Sequence, residues 1–213
     1  GNATNELLNS NGGELTINGG TLNIAARYSS SSINNLSKFF MSSGTMKVTT
    51  VASSVTTFSP FEISSAGSVI NISGGTIIVQ REGGNGAQNL GFVISNVVGS
   101  SVTGGTLQIG NASTPANQTM QISTVLPVGN LVINSANATG QLTNDLLVLN
   151  NVTIQSGTLD GNNFILTLAG NWLDNGNFLP VTSTVIFDGT DLQTITDPSG
   201  ERFYNITCSS TDT

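Results

Sequence analysis

The chain has 213 residues, a net charge of −7 and no histidine, and only 8% of its residues are charged, against roughly 25% in ordinary soluble domains. Without histidine, a Ser-His-Asp triad, a His-ligated zinc and an imidazole general base are excluded, and five Lys plus Arg leave no basic footprint for nucleic acid. Asn, Ser and Thr fill more than a third of the chain beside 25 Gly, so solubility rests on uncharged polar groups, a pattern that suits a β-rich extracellular protein.

Along the chain the first strand signal is Glu14-Leu-Thr-Ile17, followed at once by Gly19-Gly20-Thr21-Leu22-Asn23-Ile24. Glycine supplies the positive φ of a tight corner, and the alternation after Thr sends Leu22 and Ile24 to one face. The same unit recurs at Ser43-Gly44-Thr45-Met46-Lys47-Val48, Gly74-Gly75-Thr76-Ile77-Ile78-Val79, Gly104-Gly105-Thr106-Leu107-Gln108-Ile109 and Ser156-Gly157-Thr158-Leu159. The steps between its threonines are 24, 31, 30 and 52 residues, the last read as two periods. A period of this size predicts a β-solenoid whose stacked coils bury apolar rows that no single strand can bury alone.

Further faces of the coils are predicted at Val69–Ile72, Asn130–Ile133, Asn151–Ile154, Phe164–Leu168, Thr184–Phe187 and Asn205–Cys208. Three stretches break the period and are expected to be loops or insertions: Arg27–Ser43, Gln80–Asn89 and Asn111–Gln118. Phe39-Phe40-Met41, inside the first, is expected to fold back on the solenoid or cover an open end. No ten-residue stretch has helical apolar spacing. The longest apolar run, Leu90–Val98, is too short to span a membrane and is broken by Ser95 and Asn96. Asparagines at equivalent corners are expected to form amide ladders. The eight Asn-x-Ser/Thr sites are no more than this composition yields by chance. The expected fold is therefore all-β, a right-handed parallel β-helix of about eight coils, with an antiparallel Greek-key sandwich as the structural alternative. The expected domain is one solenoid over 1–213, starting at Gly1 rather than Met as a segment of a longer repetitive chain, with no charged or helical cover at its ends.

Residues 164–213 carry a resemblance. Leu166-Thr-Leu-Ala-Gly-Asn-Trp172, Asp174-Asn-Gly-Asn-Phe178, Ser183-Thr-Val-Ile-Phe-Asp-Gly-Thr190, Gln193-Thr-Ile195 and Phe203-Tyr-Asn-Ile-Thr207 resemble the repeat of large secreted adhesin-like surface proteins of Bacteroidetes, many exported by the type IX system and including gliding adhesins. The Gly-Gly-Thr coils resemble, more loosely, those of pectin-lyase-like and autotransporter β-helices. The resemblance implies an exported cell-surface or filament-forming solenoid and supplies no catalytic residue.

All eight acids of the last third, residues 145–213, face Arg202 as the one base there. If coils are about 28 residues long, Asp160 and Asp188 would sit side by side, with Asp174 or Asp191 near them, as the carboxylate pair a polysaccharide hydrolase needs. Asp-Gly and Asp-Asn-Gly are also common turn chemistry, and that reading is preferred. Lys38 and Lys47 lie away from these acids, which disfavours a lyase. The loops Asp174-Asn-Gly-Asn177 and Asp188-Gly-Thr-Asp191 offer oxygen ligands to calcium without the spacing of an established calcium loop. Trp172, Tyr28 and Tyr204 were weighed as a sugar platform against packing roles. Cys208 is a single thiol and makes no internal disulfide. The expectation is a non-enzymatic surface adhesin or structural fibre module, with no catalytic, cofactor or metal residue assigned. Its partners would be other surface or fibre subunits, including end-to-end self-association, and a glycan or cell-surface ligand. A self-assembling filament subunit and a carbohydrate-active enzyme using Asp carboxylates are the alternatives.

Overall fold

The computed structural model describes residues 7–8, 12–30, 36–49, 59–83 and 90–209. Among them there are twenty strands and no helix, and every strand pairing is parallel. The protein is all-β, built from open parallel sheets rather than a closed barrel. All-parallel pairing removes the Greek-key sandwich, whose neighbouring strands run antiparallel.

The strands lie in three stacks. The first runs through β1 (Leu7–Leu8), β3 (Tyr28–Ser30), β5 (Phe61–Ile63), β8 (Phe92–Ile94) and β11 (Gln118–Thr124), then through the later parts of β12 (Asn130–Leu142) and β14 (Val152–Asp160) to β17 (Asn177–Leu179). The second holds the early parts of β2 (Gly13–Ile24) and β4 (Ser37–Val48), then β6 (Val69–Ile72) and β9 (Ser101–Val102). A separate sheet of β13 (Leu146–Val148), β15 (Ile165–Leu168), β18 (Thr184–Phe187) and β20 (Asn205–Cys208) follows it in the chain, after a single bridge from Val128 to Val148. The third joins the later parts of β2 and β4 to β7 (Thr76–Val79), β10 (Thr106–Ile109), the early parts of β12 and β14, β16 (Trp172–Asp174) and β19 (Ile195–Thr196).

The threonines of the Gly-Gly-Thr motif stack as read: Thr21 on Thr45, Thr45 on Thr76, Thr76 on Thr106. The fifth motif does not continue this stack. Thr106 pairs with Asn130, whereas Thr158 pairs with Thr139 and Asn177 in the first stack. From β12 onward the registers shorten, with Leu131 on Val152 and Val152 on Trp172. The tight Gly corner has moved from the entrance of the third stack to its exit, so the 52-residue step joins two different corners.

Two further expectations are corrected. Arg27–Ser43 is not an insertion, because β3 and the first part of β4 lie within it; residues 31–35 fall outside the described part. Phe39 and Met41 point into the core and are buried, since alternation along β4 continues from Leu15 and Ile17 below them. They therefore cover no end. In the other expected loops, 80–83 and 111–117 carry no strand, and 84–89 lie outside the described residues.

Ile24, Ile77, Val79, Leu107, Ile109, Leu131, Ile133, Leu166 and Leu168 are buried as alternation predicts, while Leu22 is only partly covered. They belong to one continuous apolar core with two aromatic ends. Tyr28, Phe61 and Phe92 occupy one register position of the first stack, with ring centroids 5.3 and 4.9 Å apart, and Phe39 joins them from the second stack. Trp172, Phe178, Phe187 and Phe203 form the other group.

The expected amide ladder exists where the chain enters the third stack. Asn130 Nδ2 donates to the Gly105 carbonyl, its Oδ1 accepts from Asn151 N (3.2 Å), Asn151 Oδ1 accepts from Asn171 N (2.8 Å), and Asn171 Oδ1 accepts from Thr194 N (2.8 Å). Each side chain satisfies a backbone N–H of the next level, where the corner interrupts the strand ladder. Asn151→Ala is expected to lower stability by about 1 kcal/mol, read as a fall in the denaturant midpoint at unchanged slope.

Candidate functional site

The residues weighed for catalysis do not come together. Asp160 ends β14 in the first stack, where its carboxylate accepts from Gln141 Nε2 and Asn162 N, both at 2.8 Å. Asp188 follows β18 beyond the second stack and is exposed. The reason is coil length: Leu166 already lies on Val185, so 28 residues reach past one level to a different corner. Asp160 is a turn acceptor. The turn holding Asp188 and Asp191 is organised by Gln193, whose Oε1 accepts from Gly189 N and whose Nε2 donates to the carbonyls of Leu168 and Gly170; both aspartates there are exposed.

The sugar platform is absent from these positions. Trp172 and Tyr28 are fully buried at opposite aromatic ends of the core, and only Tyr204 is exposed. Lys38 and Lys47 sit in different stacks of β4, and Cys208 is an exposed free thiol.

The structure instead assembles Asp174, Asp197 and Glu201, each offering an oxygen within 4.8 Å of the others. Asp174 ends β16, is 3% exposed, and accepts from Gly176 N at 2.7 Å in its own turn. Asp197 and Glu201 come from the segment after β19, where Asp197 accepts from Ser199 N at 2.6 Å. Glu201 Oε2 accepts from the indole Nε1 of Trp172 at 2.6 Å and its Oε1 from Arg202 N. The carboxylate oxygens of Asp174 and Glu201 lie within 4.8 Å of each other, so two full charges there repel. Burial is the main reason both carboxyls are raised, Glu201 to about 7; the charge of Asp174 raises Glu201 further, and that of Asp197 raises Asp174. The cleft between the turns has a volume of about 260 Å³ and Arg202 is its one cation among the described residues.

Asp174 was singled out from sequence; Asp197 and Glu201 were not. Their signal is the register of Trp172 on Ile195, which sets Asp174 one level below Asp197. It becomes visible only when the coil is known to be 23 residues long at that point.

A second concavity of about 460 Å³ lies on the outer face of the second stack, where Thr16, Phe40, Asn71 and Ser101 succeed one another in register. Its walls are hydroxyl, amide and apolar groups with no acid or base. A third acid, Glu82, is 5% exposed and accepts from Thr119 N at 3.2 Å. Burial raises its carboxyl too; it ties the 80–83 segment to β11 and faces neither concavity. No described helix is long and apolar enough to cross a membrane. No family model, curated protein or solved structure matches this chain.

Proposed function

We propose that the chain is a right-handed parallel β-helix of about eight coils serving as a non-enzymatic module of an extracellular surface adhesin or structural fibre. One observation carries this reading: parallel register passes from level to level over the described length, from Thr21 on Thr45 to Trp172 on Ile195. Such stacking makes a rod whose sides present neutral polar side chains, and it supports a spacing or display role better than chemistry. The neutral concavity beside Phe40 is the surface best suited to an uncharged glycan. Asp160 and Asp188 stand at separate corners, which weakens the case for a hydrolase.

A rod of about eight coils at about 4.8 Å each is roughly 40 Å long, and small-angle scattering checks that length. The functional test is a polysaccharide panel assayed for both retention and cleavage. Retention without cleavage, unaltered in Asp160→Asn and Asp188→Asn, is the expected outcome. Hydrolysis abolished by either change would replace the module with an enzyme.

A filament subunit is the second reading, favoured by edges open on one side: among the described residues β17 pairs only with β14, β19 only with β16 and β20 only with β18. Leu192, Ile195, Tyr204 and Ile206 are exposed in the same region. Open parallel edges accept another strand through main-chain hydrogen bonds. Light scattering across a concentration series decides it: growth into long polymers supports the filament, and a concentration-independent monomer removes it.

A further inference from the structure

The segment 197–203 crosses the aromatic end of the core that holds the one tryptophan of the chain. It has no strand pairing of its own. Two contacts hold it there: Phe203 packs on Trp172, Phe178 and Phe187 with ring centroids 5.4, 5.7 and 6.2 Å away, and Glu201 receives the indole N–H at 2.6 Å.

We propose that 197–203 is a proton-operated cap, fastened over Trp172 while Glu201 holds a proton beside Asp174 and loosened when both are ionised. The groups that face Glu201 are Asp174 from β16, Asp197 from the start of the segment, and Arg202 beside it. Two anions meet Glu201 beside Phe178 and the Trp172 indole, and the exposed Arg202 is the one cation lining the cleft among the described residues. Losing that proton leaves mutually repelling carboxylates that water solvates better than the cleft does.

The direction follows from linkage. Glu201 holds its proton up to about pH 7 with the cap in place, against an ordinary value of 4.5, so the closed cap binds more protons than the open one. Its stabilisation is complete below about pH 4.5 and is lost as pH rises through about 7. The chain has no histidine, so a response in this window has no imidazole origin.

Two readouts test the cap on the intact chain. Acrylamide quenching of Trp172 fluorescence is expected to rise several-fold between pH 5.5 and 8.5, and amide exchange in 197–203, corrected for intrinsic rate, to speed up by about tenfold or more, while far-UV dichroism stays unchanged. Glu201→Gln keeps a neutral donor toward Asp174 and an acceptor for the indole, and is expected to abolish both responses with the cap closed; it also separates Glu201 from Glu82. Should that variant fail to fold, Asp174→Asn takes its place, with the transition expected to move to lower pH because the neighbouring anion is gone. Flat quenching and exchange across the range in the unmodified chain would overturn the proposal. So would a pH response that survives in the variants unchanged, or a cap that closes at pH 8 on addition of calcium and is indifferent to pH without it.

Discussion

Phe61→Ala is expected to lower stability by about 4 kcal/mol, the largest loss for any single truncation in the first half of the chain. Phe61 is fully buried and, among the described residues, is the one ring that touches Tyr28, Phe39 and Phe92, at 5.3, 5.5 and 4.9 Å between centroids. Its removal leaves a cavity flanked above and below by rings in parallel register. Those neighbours cannot close on one another, because strand spacing holds them at about 4.8 Å per level. Phe40→Ala, at a half-exposed position of the second stack, is expected to cost less than about 1 kcal/mol. Chemical denaturation of the two variants side by side checks the difference, and equal losses would contradict the stacked core.

The second large effect belongs to Gly157. It has φ +89°, and a Cβ there would fall on the Ser135 carbonyl and 2.5 Å from the Ala138 carbonyl oxygen. Both obstacles are backbone of the level below, which the Leu131–Val152 and Thr139–Thr158 pairings hold in place. Gly157→Ala therefore pays for the left-handed conformation, about 1–2 kcal/mol, and for prising two levels apart, a total of about 3 kcal/mol or more. Gly99→Ala is the matched control, with φ +56° and open space around the added methyl, and should show the conformational part alone. If the two glycines cost the same, inter-level contact at the corner contributes nothing.

The physical reason these two sites dominate is the same. Each level is pinned to its neighbours by main-chain hydrogen bonds, so a defect inside or between levels cannot relax along the chain. Positions that point outward, such as Asn151 in its ladder, exchange one hydrogen bond for water and lose far less.

Local chemistry was enough for several features. Alternation after a glycine corner marks Ile77 and Val79, or Leu107 and Ile109, as inward whatever lies above them, because a strand has a side-chain period of two. Scarce charge and the absence of helical periodicity set the all-β class, and recurrence of Gly-Gly-Thr pointed to parallel stacking at the first four motifs. The abundance of asparagine pointed to amide ladders at equivalent corners, and the structure puts one from Asn130 to Asn171. What one chain could not reveal was the length of each level. Parallel partners are remote in sequence, and loops add residues between strands without changing the spacing of the stacked backbones. For that reason Thr158 proved to belong to a different stack from Thr106, β3 and β4 replaced an expected insertion, and Asp160 parted from Asp188. The same tertiary register brought Asp197 and Glu201 onto Asp174 and Trp172, a juxtaposition that depends on a 23-residue level and on Phe203 reaching back to the core.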